Sequence, residues 1–558
     1  MVRVRDNQIE VTTRTLRATW ADGVLTSLSA RPDGQTLVDP APDDGPPMYL
    51  IYASGEAVAI GREMGDRVYV LPRSDTEAEI RIEGWHGDGA IRVSEDVETG
   101  DMVVEPSGYA SRPGLRACRL PIGGIAESLK LVAPFFQGVR LPLDDPLIRN
   151  SHWQWPHQWE AGLAILEGAG GGWWVRAEDD RYRYKALHVG SRDTHDTLGL
   201  DTETYGPMDA NLSAGNLEWR INTFAGDWET PAATYRAWMA KAYDLAREPL
   251  PDWFDDIRFA VSWCPTKPDI LDAIAARVPA GRVLLHMPDW RTDAYDENYP
   301  TYKASETGRG FIETAQNAGF HVMPHLNAID MDPSHPVYTR VRDFQQRAVD
   351  SKRVLGWTWV DGAGKPVPES NAGRLLHRSE KTMVKIHPGL GTWRSILSQA
   401  VRESAESLDL SAAFLDVTLC SWNLHNCLVD DMTSTEGMRR LIGDVARLGL
   451  VVGGEGRNEI TSLHQRFAQV HLFRSWHATD EGLDRLEKEG LCPLNEFLFG
   501  NWCKSFGYSG LNGDSPVSAT RMRVHEKLGA IPTVTVGAAK DIARPNRVVR
   551  QMLDAAGA

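Results

Sequence analysis

The sequence predicts two architectures in tandem, an N-terminal β-sandwich followed by a (β/α)8 TIM barrel, making a multidomain β plus α/β protein. Three observations carry this. Short strand-like segments without intervening helices fill the first part of the chain, one aromatic-rich helix follows, and strands then alternate with helices to the end. The expected boundaries are 1–228 for the sandwich, 229–254 for a linker helix and 255–558 for the barrel.

In the first region "QIEVTT", "LRATW", "GVLTSLSA", "RVYVLP", "EIRIEG", "AIRVSEDVE" and "DMVVEPS" are short, often alternating runs punctuated by Gly, Asp and Pro, the pattern of half-buried strands. The Pro-rich "DPAPDDGPP" reads as a loop, and "GGWWVRAED" and "NLEWRINTFAG" supply later strands. In "GDWETPAATYRAWMAKAYDLAREPLPDW", Thr230 is the expected N-cap, Pro231 the first helical residue, and "PLP" the stop. The barrel strands then read "IRFAVSW", "RVLLHMPDW", "HVMPHLN", "AAFLDV" and "LVVGGEG", with weaker candidates near "QVHLF", "PLNEFLF" and "IPTVTV". Helices are expected at "PDILDAIAARV", "GFIETAQNAG", "SILSQAVRESAESL" and "TEGMRRLIGDVARLG", and "DIARPNRVVRQMLDAA" closes the chain as another. That is a barrel's size in about 300 residues. A doubly wound open sheet is the alternative, weakened because no Gly-rich phosphate loop follows the first strand.

The 558-residue chain carries 60 Lys+Arg against 76 Asp+Glu, a net charge of −16, which argues against nucleic acid or an anionic membrane as partner. No run approaches a membrane span. The start, "MVRVRDNQIEVTT", lacks an apolar signal core, and six scattered cysteines without a CxxC pattern read as reduced thiols, so a cytoplasmic location is expected. Nineteen Trp outnumber both the 14 Phe and the 14 Tyr. A flat apolar ring with one donor suits sugar C–H faces as well as a core. In "SHWQWPHQWE", Trp153, Trp155 and Trp159 either reach over the barrel mouth or pack between domains, with packing the simpler reading.

Barrel active sites form at the carboxyl ends of the strands. Alternation puts Ala412, Phe414 and Asp416 on one face of "AAFLDV", so the strand ends on a carboxylate. Glu455, 39 residues on, ends "LVVGGE" on the face of Val451 and Gly453, in a "GGEG" turn expected to be flexible. Two carboxyls flanking one pocket are the equipment of glycoside hydrolysis. The Asp416 charge is expected to raise the pKa of Glu455. Capping or ion pairing, for instance with Arg457, is the structural alternative. Other strand ends offer Asp289 and Trp290, His325 and Asn327, Trp263, Trp422 and Asn423, and the insertion before the fourth strand offers Trp393 and Arg394, all as candidate substrate-binding residues together with Arg457. His321, His325 and His335 form no HExxH-type set, no GxSxG elbow is present, and neither a metal nor an organic cofactor is expected.

The β-supersandwich, the "GDW…YRAWM" helix and a barrel with "FLDV" and a Glu one βα unit later resemble bacterial α-N-acetylgalactosaminidases and endo-α-N-acetylgalactosaminidases. The resemblance implies a galactose-mutarotase-like sandwich, a carbohydrate substrate and a retaining glycosidase with Asp416 as nucleophile and Glu455 as acid/base. The chain lacks the accessory β-domains and secretion signal of mucin-degrading members, which favours exo-action on a small α-linked glycoside. Two rivals stand beside this: a non-catalytic sugar-binding protein, and a barrel lyase or epimerase acting on a sugar acid. The latter needs a basic cluster, for which only Arg394 and Arg457 present themselves.

Overall fold

The computed structural model describes residues 1–39, 45–192, 195–245, 249–358, 382–471 and 480–558. The chain divides into two compact units: Met1–Tyr243 with Trp422–Cys427, and Asp244–Ser421 with Leu428–Ala558.

The first unit is built of antiparallel sheets of five, ten and six strands. The alternation read from the sequence is visible as burial: in Leu16–Ala21 Leu16, Ala18 and Trp20 are buried and Arg17 is exposed. Residues 40–44 of the "DPAPDDGPP" loop lie outside the described residues. Trp153, Trp155 and Trp159 are all buried in this unit. Trp153 stacks on Phe135 at 4.1 Å, Lys185 Nζ lies 3.7 Å above the Trp155 ring, and Trp159 stacks on Trp219 and donates to the Leu163 carbonyl. These rings therefore pack the sandwich itself. The helix after it spans Glu229–Ala242, so Thr230 lies in its first turn rather than at its N-cap, and the helix belongs to this unit.

The second unit holds eight parallel strands among the described residues: β1 (Phe259–Val261), β2 (Val283–Met287), β3 (His321–Asn327), β4 (Ala412–Asp416), β5 (Val451–Glu455), β6 (Phe467–Val470), β7 (Lys504–Gly507) and β8 (Thr533–Val534). Neighbours pair in chain order, β8 pairs with β1, and a parallel bridge from Phe506 to Ile531 joins the β7 and β8 segments. The open-sheet alternative is thereby excluded.

"PLNEFLF" is a helix, Leu494–Phe499, not a strand. Its apolar residues at 494, 497 and 498 have i, i+3, i+4 spacing, which outweighs β-prone Phe. The seventh strand is the next segment, "KSFG". "QVHLF" contributes only its first two residues to β6, and 472–473 lie outside the described residues. The closing helix is broken at Pro545 into Lys540–Ala543 and Arg547–Gly557. After β3, an insertion forms a small antiparallel sheet of Asp330–Met331, Thr382–Lys385 and Gly356–Thr358 that pairs Asp330 with Lys385.

A layer of inward side chains fills the barrel: Ala260, Leu284, Met323, Phe414, Phe467 and Phe506 share one buried cluster. On β5 the inward position is Gly453, where a Cβ would lie 2.7 Å from Met323 Sδ. Gly454 faces the other way, where a Cβ would lie 2.7 Å from Thr418 Oγ1. Both glycines are strand residues required by close packing, so the "GGEG" segment is not the flexible turn its composition suggests.

Candidate active site

Two residues beyond each member of the apolar layer, on the same strand face, stands a polar or aromatic one: Ser262, His286, His325, Asp416, Gln469 and Tyr508, with Glu455 above Gly453. The period of two along a strand thus stacks a polar layer directly on a hydrophobic one at the carboxyl ends. Asp416 pairs in register with Asn327, and Glu455 with Gln469.

Two donors reach Asp416 Oδ2, Tyr295 Oη at 3.4 Å and Asn327 Nδ2 at 3.4 Å, and His325 Nε2 lies 3.5 Å from the same oxygen. Asn327 is held in that orientation because its Oδ1 accepts the amides of Ile329 and Asp330, which turns Nδ2 toward Asp416 and Asp330. Lys385 Nζ, itself buried, donates to Asp330 Oδ1 at 2.8 Å. Burial alone would raise the Asp416 carboxyl, but His325 and then Lys385 outweigh it and hold the pKa below the usual aspartate value.

Val417, directly after Asp416, has φ +55°, a left-handed conformation costly for a β-branched residue by about 1–3 kcal/mol. The bend aims its amide at Glu455 Oε2, 3.1 Å away. His471 Nε2 contacts Glu455 Oε1, and its ring stacks on Tyr508 at 3.9 Å. Thr418 Oγ1 accepts from the Glu455 amide and donates to the Glu455 carbonyl, 2.8 Å each, fixing the backbone. Burial first and the Asp416 charge second raise the Glu455 pKa, against the opposing pull of His471. The two carboxyls are therefore neighbours whose affinities for a proton are pushed apart.

Trp263, two residues past the end of β1, has φ +56°, its half-buried ring 5.4 Å from Tyr295, 6.1 Å from His325 and 5.7 Å from Tyr508. It walls the same cluster. Asp289 is exposed, two residues past the end of β2.

The remaining candidates have other tasks. Trp290 is buried and its indole N–H donates to the His325 carbonyl at 2.9 Å, so it braces β3 instead of offering a sugar-stacking face. Trp393 is buried on the helix Gly391–Leu408 and donates to the Ala328 carbonyl at 3.0 Å. Arg394 binds the carbonyls of Pro388 and Gly389 and pairs with Asp444. Arg457 is buried against Glu496 and the Cys503 carbonyl. Trp422 and Asn423 fall in the first unit, where Asn423 Nδ2 donates to Glu203 and to the Thr204 carbonyl, and the Trp422 ring lies 5.2 Å from that of His157. Both arginines proposed to recognise a sugar acid are thus committed to protein groups.

Sequence reasoning missed His286, Tyr295, Asp330, Lys385, Gln469, His471 and Tyr508. His286 carried a signal: a polar residue in register with Leu284 inside the apolar "VLLHM". Among the described residues no group of three or more His, Cys, Asp or Glu is placed to hold a metal ion. No helix among them is long and apolar enough to cross a membrane.

A family model described as a domain of unknown function, DUF6259, matches residues 216–431. No curated protein matches the chain by sequence. Among solved structures, the ligand-free α-N-acetylgalactosaminidase NagBb from Bifidobacterium bifidum aligns with a TM-score of 0.66 at 13% identity, over 100% of this chain and 94% of that one. The same enzyme with GalNAc gives 0.61 at 12% identity, over 100% and 93%. The α-galactosidase AgaA from Geobacillus stearothermophilus gives 0.50 at 9% identity, over 98% and 85%. The chain shares the sandwich-plus-barrel fold of these proteins.

Proposed function

We propose that the chain is a retaining, exo-acting glycosidase of α-linked sugars, of the α-N-acetylgalactosaminide or α-galactoside type. One observation carries the reading: two buried neighbouring carboxyls at adjacent strand ends, one held ionised and the other pushed toward its protonated form. That division matches a nucleophile and a general acid. The shared fold with an α-N-acetylgalactosaminidase and an α-galactosidase supports the substrate class.

In this reading Oδ2 of Asp416 is held by Tyr295 and Asn327, with His325 Nε2 beside it, and Oδ1 attacks the anomeric carbon. Glu455 gives its proton to the leaving oxygen, and Asp416 becomes a neutral ester. Glu455, now ionised, takes a proton from water, which attacks the glycosyl-enzyme and releases sugar of unchanged configuration. The amide of Val417, the residue after Asp416, donates to Glu455 Oε2 and so holds that carboxyl beside the end of the nucleophile's strand. Trp263 and the exposed Asp289 are kept as sugar contacts, whereas His325 and Asn327, buried and engaged with protein groups, act on Asp416 instead. The six cysteines are buried and form no disulfide, which supports a cytoplasmic location.

The test is a screen of α- and β-linked nitrophenyl glycosides, followed by two variants. Asp416→Asn should lose several orders of magnitude on every substrate. Glu455→Gln should retain the first step on a dinitrophenyl α-glycoside and be rescued by azide with retained configuration. Azide on Asp416→Gly should give the inverted azide. Sugar binding without turnover of any glycoside would favour the non-catalytic rival.

A further inference from the structure

The outer face of the ten-stranded sheet in the first unit carries a cleft that the barrel chemistry does not use. Strand register places it. Gly89 and Gly108 face the core, where a Cβ on either would meet Met48. Alternation therefore turns Asp88 and Ala90 on Gly87–Asp96, and Ser107 and Tyr109 on Asp101–Ala110, to the outside. Asp88 stands opposite Tyr109, Tyr109 opposite Ser213, and Ala90 between Arg81 and Ser107. The small Ala90 and Ser107 leave a depression beside the large Tyr109. The chain after Ser213–Ala214 closes one side, since a Cβ on Gly215 would lie 2.8 Å from Ser107 Cβ. The cavity measures about 410 Å³, a small-molecule size, and Arg81, Asp88, Ser107, Tyr109 and Asn216 are in its lining.

The side chains here suit a sugar. Tyr109 is 51% exposed, a ring with one apolar face to offer. Trp85, 88% exposed, sits in the turn three residues before Asp88, within about 11 Å along the chain. Asp88 Oδ1 accepts the Gly84 amide at 3.3 Å, and Oδ2 has no partner among the described residues. Nor do the side chains of Ser107 and Asn216 have one among them. Asn211 Nδ2 donates to the carbonyls of Leu115 and Ser213, which fixes the loop beside the cleft before any ligand arrives. The arginines of this face are spent on carboxylates, Arg81 on Glu79 and Arg92 on Glu77 and Glu105. The charge left over is negative, which repels an anion and complements the hydroxyl protons of an uncharged polyol. An added peptide strand finds no free edge, because the three strands under the cleft are each paired on both sides.

We propose that this cleft is a second carbohydrate site, which binds a short neutral oligosaccharide with a ring on Tyr109 and hydroxyls on Asp88, Ser107 and Asn216. It goes beyond the glycosidase reading and does not depend on it.

The experiment uses the full chain labelled with 3-fluorotyrosine, in an Asp416→Asn background so that no probe is consumed. Tyr109→Phe assigns the Tyr109 signal. The probes are raffinose, maltotriose, cellotriose and chitotriose, with glucose 6-phosphate as the charged control. At least one neutral trisaccharide should move the Tyr109 signal saturably, and glucose 6-phosphate should not. Asp88→Ala should weaken that binding about 10-fold, the loss of a hydrogen bond to a charged group. With Asp416 intact, Asp88→Ala and Tyr109→Ala should leave kcat/KM on a nitrophenyl α-glycoside unchanged. Both side chains are exposed, so the variants keep the fold. No saturable shift with any of the trisaccharides overturns the proposal, as does binding that keeps full affinity in Asp88→Ala. A Tyr109 signal that moves with protein concentration, with a rise in mass that Trp85→Ala abolishes, would make the face a contact between copies and overturn it too. Sugar binding at Tyr109 in a chain that turns over no glycoside would defeat the glycosidase reading and leave this site standing. Turnover without any shift would do the reverse.

Discussion

Lys385 offers a quantitative test of how the site is held. Its ammonium and the Asp330 carboxylate are 2.8 Å apart with side chains 5% and 0% exposed, so water screens them little. Replacing Lys385 by Met keeps the length of the chain and leaves Asp330 buried opposite no cation. Breaking one side of a buried pair costs about 3–5 kcal/mol. For a unit of roughly 300 residues the unfolding entropy near 60 °C is about 0.6 kcal/mol per kelvin, so the melting temperature should fall by about 5–8 °C. Calorimetry at pH 7 measures this. The double variant Asp330→Asn with Lys385→Met removes both charges and should recover more than half of the loss, because the penalty belongs to the stranded carboxylate. Both changes also loosen Asn327, which donates to Asp330 and Asp416, so neither is expected to regain full activity. A single variant that melts within 1 °C of the parent, or a double variant less stable than the single, would refute the account.

Three further outcomes follow from particular residues. Gly453→Ala places a methyl 2.7 Å from Met323 Sδ and should destabilise the barrel by about 1–3 kcal/mol, read as a lowered denaturation midpoint. Burial, and then Arg119, lower the His188 pKa from 6.5 to about 4. The unfolded chain then binds a proton that the native one refuses, so stability is full above pH 6.5 and declines toward pH 4. The contribution is up to about 3 kcal/mol, and His188→Gln should flatten the urea-midpoint profile across that window. Asp289→Ala should raise KM with the melting temperature unchanged, since its side chain is exposed at a strand end. A lowered melting temperature with unaltered kinetics would make it a structural acid.

The polar layer also separates the rival readings. A lyase or epimerase handling a sugar acid needs cations free to meet a carboxylate. Arg394, Arg457 and Lys385 are each bonded to protein carbonyls or carboxylates instead.

The sequence by itself determined the two-part architecture and the positions of Asp416 and Glu455 at strand ends. Both depend on local rules: the period of two along a strand and the punctuation by Gly and Pro act over a few residues. It could not decide which tryptophans and arginines serve a pocket. Trp290, Trp393, Arg394 and Arg457 read as binding residues by type, yet each is used up by a protein carbonyl or carboxylate that lies far off in the sequence or across a turn. Nor could it reveal His286, Lys385 or Gln469 as members of the site. Each owes its place to pairing between strands: Lys385 stands opposite Asp330 across an antiparallel ladder, and Gln469 stands beside Glu455 across a parallel one. Strand register is a relation between distant segments, fixed when the barrel closes. Which buried polar group meets which partner is therefore a property of the closed structure.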